Sequence, residues 1–319
     1  MFFRSSGEFD PTSRGVYSRA ASLILPTPST IAGVLATIFG SNFQKFNDWV
    51  LEYKSTLGNV ILRGPLVKIT KKDKQAQKLY LDFSFKGRLI SYEALNEYAT
   101  KIKKIIDAKD SRTKENLQDE LKNLMKNKDK FLKPKKQERI GIGLKVRKEK
   151  GNKVVDEDQG LIYTAEYVDY IFEDNLLVEI YYEMLGDGII KKGSYQIKLG
   201  GEGRISQLII EDEEISNIIK FEKEGNVLYV ASPLFYETGK DIKDAIEKEL
   251  NKKIIEIYGE VRLLGAGYSL LRDRRKPIYQ ALVPGSLIFL ENSIDLQSIY
   301  NNLGYGKDIG YGTVLPLKL

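Results

Sequence analysis

Residues 59–85 read NVILRGPLVKITKKDKQAQKLYLDFSF. Apolar and polar residues alternate over Asn59 to Leu62, Leu66 to Thr70 and Lys78 to Phe85. That is the period of two which lays one face of a strand on a core. Gly64-Pro65 between the first two runs predicts a turn, because Pro withdraws a backbone donor and Gly opens dihedrals closed to other residues. Upstream, Thr27 or Ser29 can cap a helix with Pro28 in its first turn. Ile31, Val34, Leu35, Ile38 and Phe39 then follow at helical spacing, and Gly40 closes the helix. Gly33 and Ala36 make a small-residue strip on which a neighbouring backbone can lie close. A second short helix is expected over Phe43 to Leu57. A helix followed by strands makes an α+β unit.

Downstream, Tyr92 to Lys133 reads as two helices joined near Asp107 to Arg112. Leu95, Tyr98, Ala99, Ile102, Ile105 and Ile106 form one stripe, and Leu117, Leu121, Leu124 and Met125 the other. Lys122, Lys126, Lys130 and Lys133 place four ammonium groups on one face of the second helix, as an RNA or partner contact or as a solvated stripe. Strand patterns return at Ile140 to Val146, Leu161 to Phe172 and Leu176 to Leu185, the last two as a hairpin through Glu173-Asp174-Asn175. Strands are expected again at Ile205 to Ile210 and Val227 to Ala231, a helix at Asp241 to Leu250, strands at Ile254 to Leu263 and Tyr279 to Phe289, and a last helix at Asp295 to Leu303. Without a regular βαβ period, this order predicts an α+β fold with antiparallel sheets.

The 319 residues contain no Cys and no His. Zinc fingers, Cys/His nucleophile pairs, Ser-His-Asp triads and histidine bases are thereby excluded. Catalysis would fall to carboxylates, Lys, Tyr or a magnesium site. The start MFFRSSGEFD lacks a basic segment followed by an apolar one, and the longest apolar stretch, Ile31 to Phe39, is far short of the roughly 18 to 20 residues a membrane helix needs. Neither leader nor spanning helix is expected, and with no disulfide framework the expected location is cytoplasmic.

Charge is unevenly spread. Residues 101–153 hold 19 basic against 8 acidic residues, and residues 154–260 hold 11 against 24. A chain polarised in this way suits a polyanion on one side and a basic protein or metal on the other.

Glycines cluster at Gly200-Gly201-Glu202-Gly203-Arg204, at Gly265-Ala266-Gly267 and from Gly304 to Thr313. Such loops let backbone N–H groups approach a phosphate, or simply turn the chain. None has the spacing of a nucleotide-hydrolase or dinucleotide-binding loop. The acidic runs Asp156-Glu157-Asp158 and Glu211 to Glu214 read as a magnesium site or as solvated loops. Arg4, Arg14 and Arg19 lead to the helix at Pro28, whose N-terminus suits an anion, and Tyr17 offers a stacking face for single-stranded RNA.

Six blocks carry a family resemblance: Phe3-Arg4, LPTPSTIAGVLAT (Leu25 to Thr37), GLIYTAEYV (Gly160 to Val168), GGEGR (Gly200 to Arg204), KPIYQALVPGSLIFLE (Lys276 to Glu291) and GYGTVLP (Gly310 to Pro316). In this order they resemble the RAMP proteins of CRISPR systems. More narrowly, the chain is similar to the Cas5-group-like family of subunit three of the Cmr module in type III-B effector complexes. The resemblance implies two ferredoxin-like (RRM-type) domains with helical and hairpin insertions. The first would span 1–138 with a helical insertion at about 88–138; the second would span 139–319 with hairpin insertions and the terminal glycine-rich loop. It implies a non-catalytic subunit of antiviral defence that holds the 5′ tag of the guide RNA. Its partners would be the Cas10-type large subunit and other RAMP subunits, with no cofactor, metal or membrane.

Residue by residue, the helix start falls on Pro26 to Thr30 and the RAMP glycine loop on Gly310 to Thr313. With no aromatic RNP1-like string on an expected strand, RNA contact is expected through loops and helix N-termini. The RNA-binding set is Arg4, Arg14, Arg19, Ser29, Thr30, Gly200, Gly201, Arg204, Gly310, Tyr311 and Gly312, and Gly312→Val is expected to cost RNA binding more than stability. The alternatives are a metal- or Lys/Tyr-dependent endoribonuclease that matures guide RNA, and a nucleotide-binding module.

Overall fold

The computed structural model describes residues 19–20, 22–40, 46–71, 77–142, 144–146, 153–155, 162–170, 176–186, 190–200, 205–213, 218, 224–269, 274–295 and 301–319. The architecture is α+β, built on two antiparallel five-stranded sheets.

Strand β1 (Arg19–Ala20) leads to helix α1 (Pro28–Phe39), which starts on Pro28 and closes with the Gly40 N–H on the Ala36 carbonyl. Its inward side is the small one, with Ala32, Leu35 and Ala36 buried and Ile31 and Phe39 only partly so. Helix α2 (Trp49–Leu57) begins where Asp48 accepts the Val50 N–H, later than the apolar pattern from Phe43 suggests.

Strand β2 (Ile61–Lys71) runs straight through Gly64-Pro65, so the expected turn is absent. The partner strand explains why. Its pairing with β2 shifts register between Tyr181 and Glu183, where Gly64 and Pro65 together face the single residue Tyr182, so β2 bulges at the Pro that lacks an N–H, and Gly64 N–H bonds the Thr313 hydroxyl. Strands β3 (Gln77–Phe83) and β4 (Arg88–Ser91) continue the meander.

Helices α3 (Leu95–Asp107) and α4 (Ser111–Lys126) follow, the latter capped by Asp110 on Thr113 N–H. Helix α4 stops earlier than its lysine spacing predicts. The Asn127 side chain accepts the N–H groups of Asp129 and Lys130, closing a turn, and Phe131 of β5 (Phe131–Leu132) is buried beside β4. Lys130 and Lys133 therefore lie beyond the helix that carries Lys122 and Lys126.

Strands β6 (Lys135–Ile142), β7 (Leu144–Val146), β8 (Lys153–Val155), β9 (Ile162–Asp169) and β10 (Leu176–Leu185) depart from the expected hairpin. β9 pairs with β6 and with β1, while β10 crosses to β2, giving a first sheet ordered β10-β2-β3-β4-β5. The alternating apolar residues of β10 explain the choice. Leu176, Val178 and Ile180 pack with Val67, Ile69, Tyr80 and Leu89 over Ile24 and Leu25, an apolar face that a free hairpin would leave in water. Strands β11 (Gly193–Lys198) and β12 (Ile205–Ile210) form a separate ribbon.

The second sheet is ordered β15-β20-β13-β22-β21, from β13 (Glu224–Val230), β15 (Ile254–Tyr258), β20 (Leu287–Asp295), β21 (Asn301–Asn302) and β22 (Thr313–Leu317). Helix α5 (Ile242–Leu250) covers one face through Ile242 and Ile246. Between these strands, β14 (Leu234–Tyr236), β16 (Val261–Gly265) and β19 (Ile278–Leu282) form a small sheet, and β17 (Tyr268–Ser269) pairs with β18 (Arg274–Arg275) to prolong β16 and β19 as one hairpin. The apolar runs 254–263 and 279–289 are thus each split between two sheets. The expected last helix is strand at both ends, Asp295 in β20 and Asn301-Asn302 in β21; residues 296–300 lie outside the described set.

The two large sheets share one core. Leu66, Leu81 and Phe83 meet Tyr229, Phe289 and Leu315, with Tyr98 of α3 donating to the Gly285 carbonyl and Tyr229 to that of Asp82.

Candidate nucleic-acid interface

Four of the blocks singled out in the sequence converge at the start of α1. Ser29 Oγ donates to the Ala266 carbonyl at 3.1 Å and accepts from Tyr311 Oη at 2.9 Å. The GAG segment, the terminal glycine loop and the LPTPST segment therefore meet on one hydroxyl. Lys276, which opens the KPIYQ block, donates to Tyr53 Oη at 2.9 Å, and Tyr53 donates to the Ser29 carbonyl at 3.2 Å. Thr27 stands at the N-cap without capping a backbone N–H; its hydroxyl pairs instead with Ser29 Oγ and Thr30 Oγ1. The result is a cluster of hydroxyls at the positive end of a helix, beside the basic hairpin that carries Arg274 and Arg275.

An aromatic column holds this arrangement from below. Tyr305, Tyr279, Phe235 and Tyr311 stack in series with centroid separations of 4.9, 5.2 and 4.3 Å, and Trp49 packs edge-on to Tyr311 and donates to Tyr279 Oη. Burial raises the Tyr53 and Tyr311 hydroxyls above the usual phenol range, so both stay protonated donors.

This geometry redistributes the expected contacts. Ser29 and Tyr311 are turned inward and bonded to each other, so neither side chain is placed to touch RNA; the half-buried Thr27 and Thr30 remain at the surface. Gly310 and Gly312 have positive φ and pack against Pro28 and Leu303, which makes them turn and packing positions. Arg19 is described only as backbone, paired with Thr164. Gly200 lies two residues beyond β11, whose Tyr195 ring meets Phe39 at the other end of α1. Arg4, Arg14, Tyr17, Gly201, Arg204 and the run Asp156-Glu157-Asp158 lie outside the described residues.

The basic helix is largely self-satisfied. Lys122 pairs with Asp119, Lys130 with Glu97 on α3, and Lys126 donates to Asn123. Of the acidic run, Glu211, Asp212 and Glu213 are exposed, with Asp212 paired to Lys192. Reading the sequence missed Trp49, Tyr53 and Lys276 as site residues. Lys276 lay inside a quoted block and Trp49 is the only tryptophan, but no spacing rule links residues more than 200 positions apart.

The two-sheet α+β fold matches chains in two solved structures. One is of the Type III-B Cmr-beta bound to cognate target RNA, at 22% identity and a TM-score of 0.64 over 99% of this chain and 93% of that one. The other, of the same assembly with target RNA and AMPPnP, gives 21% identity and a TM-score of 0.60 over 90% and 82%. In sequence, residues 1–83 match the family described as CRISPR-associated protein (Cas_Cmr3). The chain is 25% identical to the CRISPR system CMR subunit Cmr3 of Saccharolobus solfataricus, over 99% of this chain and 93% of that protein. The resemblance carried by the six blocks is borne out: the chain is similar to Cmr3 along its whole length.

Proposed function

We propose that the chain is the Cmr3 subunit of a type III-B Cmr complex in CRISPR defence, a non-catalytic component that holds the 5′ tag of the guide RNA and docks on the Cas10-type large subunit. The observation that carries this reading is the whole-length likeness to Cmr3, together with the convergence of four sequence-distant blocks on the first turn of α1. In this reading the chain holds two ferredoxin-like units divided near residue 138, with β10 reaching back across that division to complete the first sheet. RNA phosphates meet the Thr27 to Thr30 turn and the Arg274-Arg275 hairpin, and Arg4, Arg14, Gly201 and Arg204 are further RNA contacts. The protein works in the cytoplasm with guide RNA and the other RAMP subunits. Among the described residues no helix is long and apolar enough to cross a membrane.

Copurification with guide RNA and the other subunits, followed by crosslink mapping, tests this reading. Crosslinks are expected at the Thr27 to Thr30 turn and at Arg274 or Arg275, and the purified chain is expected to leave a repeat RNA uncut with magnesium present. Cuts at a defined position that vanish on substituting Asp156 or Glu213 would establish the endoribonuclease instead. Binding of a mononucleotide with no preference for the tag would establish the nucleotide module.

The lysine helix gives a separate prediction. Lys122 and Lys130 already face carboxylates, so replacing Lys122, Lys126 and Lys130 by Ala is expected to leave the salt dependence of RNA binding unchanged. Three lost phosphate contacts would flatten the log–log slope by about 2, at roughly 0.7 per phosphate on a single strand. A flattening of that size would put α4 on the RNA path.

A further inference from the structure

The hairpin from β16 to β19 carries an ammonium group into the interior. Lys276 is 7% exposed, and its Nζ lies 4.8 Å from the centroid of the Trp49 ring and 4.7 Å from that of Tyr53. Two paths run from this residue to the first turn of α1. Through the side chain, Lys276 bonds Tyr53, which bonds the Ser29 carbonyl. Through the backbone, Lys276 N–H bonds Gly267 O, next to Ala266, whose carbonyl accepts Ser29 Oγ. One residue thus closes a loop that fixes the hairpin against α1 and α2.

The groups that face the ammonium are Trp49, Tyr53 and Glu52 from α2, with Ser29 reached through Tyr53. Burial disfavours the charged form and brings the Lys276 pKa down to about 8, against the opposing pull of Glu52. A methionine would fill the same aromatic cage without that desolvation cost. What a thioether cannot supply is the hydrogen bond to Tyr53 Oη that joins the hairpin to the Ser29 carbonyl.

We propose that Lys276 is a positioning residue, whose amino group, bonded to Tyr53, locks the β16–β19 hairpin onto α1 and α2 and so sets where the Thr27 to Thr30 turn meets RNA. This rests on the RNA-binding reading above. Because the packed cage holds this proton less tightly than water does, rising pH favours the packed arrangement, and the bond to Tyr53 survives in the neutral amine, so RNA affinity does not fall as Lys276 titrates.

The test uses the full chain, a labelled single-stranded guide RNA, and Lys276→Met and Lys276→Arg, with affinity measured from pH 6.5 to 9.5 and Trp49 emission followed over the same range without RNA. In the wild type, Trp49 emission is expected to step near pH 8 as the charge over its ring is lost, with no fall in RNA affinity through the same interval. Lys276→Met, which cannot donate to Tyr53, is expected to show no Trp49 step and to bind about tenfold more weakly at pH 7 while remaining folded. Lys276→Arg should keep the pH 7 affinity and lose the Trp49 step, since a guanidinium donates and stays charged throughout. If Lys276→Met binds as tightly as wild type, or if the Trp49 step survives in it, the positioning role is overturned while the RNA reading stands. If the wild type binds no guide RNA at any pH, the RNA reading fails and the positioning role falls with it.

Discussion

Replacing Gly312 by Val is expected to destabilise the protein by on the order of 4 kcal/mol or more, and to lower Tm by roughly 10 °C. Gly312 has φ +66°, a conformation that β-branched side chains almost never adopt, and a Cβ there would lie 1.9 Å from the Leu303 carbonyl oxygen and 2.8 Å from its carbon. Both are backbone atoms held in place, because Leu303 N–H bonds Gly312 O and Gly312 N–H bonds Pro233 O, each at 2.9 Å. Relief would break the join between β21, β22 and the Pro233 turn. This reverses the balance suggested by the glycine run alone, in which RNA binding falls and stability holds. The folded fraction of Gly312→Val is expected to bind guide RNA normally. Denaturation curves and RNA affinity on the same sample decide the matter: a variant that melts like wild type while losing RNA would restore the phosphate-cradle role.

Asp82→Asn is expected to stabilise the protein at pH 8 by on the order of 4 kcal/mol and to leave it unchanged near pH 3. Asp82 is buried on β3 opposite Leu89, and its Oδ1 accepts from Ser84 Oγ at 2.5 Å. Burial raises its pKa from 3.8 to about 7, the Ser84 bonds pulling only partly the other way. The folded state therefore holds the Asp82 proton more tightly than the unfolded chain. Its contribution is fully present below the unfolded pKa of about 4 and is lost as pH rises through 7. Asn keeps the acceptor for Ser84 and carries no charge at any pH. Denaturant midpoints of the two proteins should coincide at pH 3 and diverge steadily to pH 8, and a constant gap across that range would show that Asp82 does not titrate in the folded protein.

Much of the local structure is legible along the chain because short-range rules govern it. Pro28 starts α1 and Gly40 ends it, Asp110 and Asp241 cap α4 and α5, and the stripe from Leu95 to Ile105 turns to the core as its spacing requires. The absence of Cys and His removed whole classes of chemistry, and six blocks in order pointed to the relatives that the comparisons found. The misreadings share a cause. Gly64-Pro65 has the composition of a turn, yet it lies inside β2 as a bulge opposite Tyr182 of β10, and β10 is more than 100 residues away. The lysine spacing past Asn127 looks helical, but burying Phe131 against β4 outweighs one more turn of helix.

By itself the sequence determined the fold class, the helix boundaries set by their own caps, and the chemistry the chain lacks, since each depends on residues within a turn or two or on composition alone. Only the tertiary structure decided that β10 joins β2 rather than β9, that Ala266 and Tyr311 meet on the Ser29 hydroxyl, and that Lys276 lies in a Trp49–Tyr53 cage. Those choices depend on which apolar faces can be buried together and which polar groups are then left to satisfy one another, and both are properties of the packed chain as a whole.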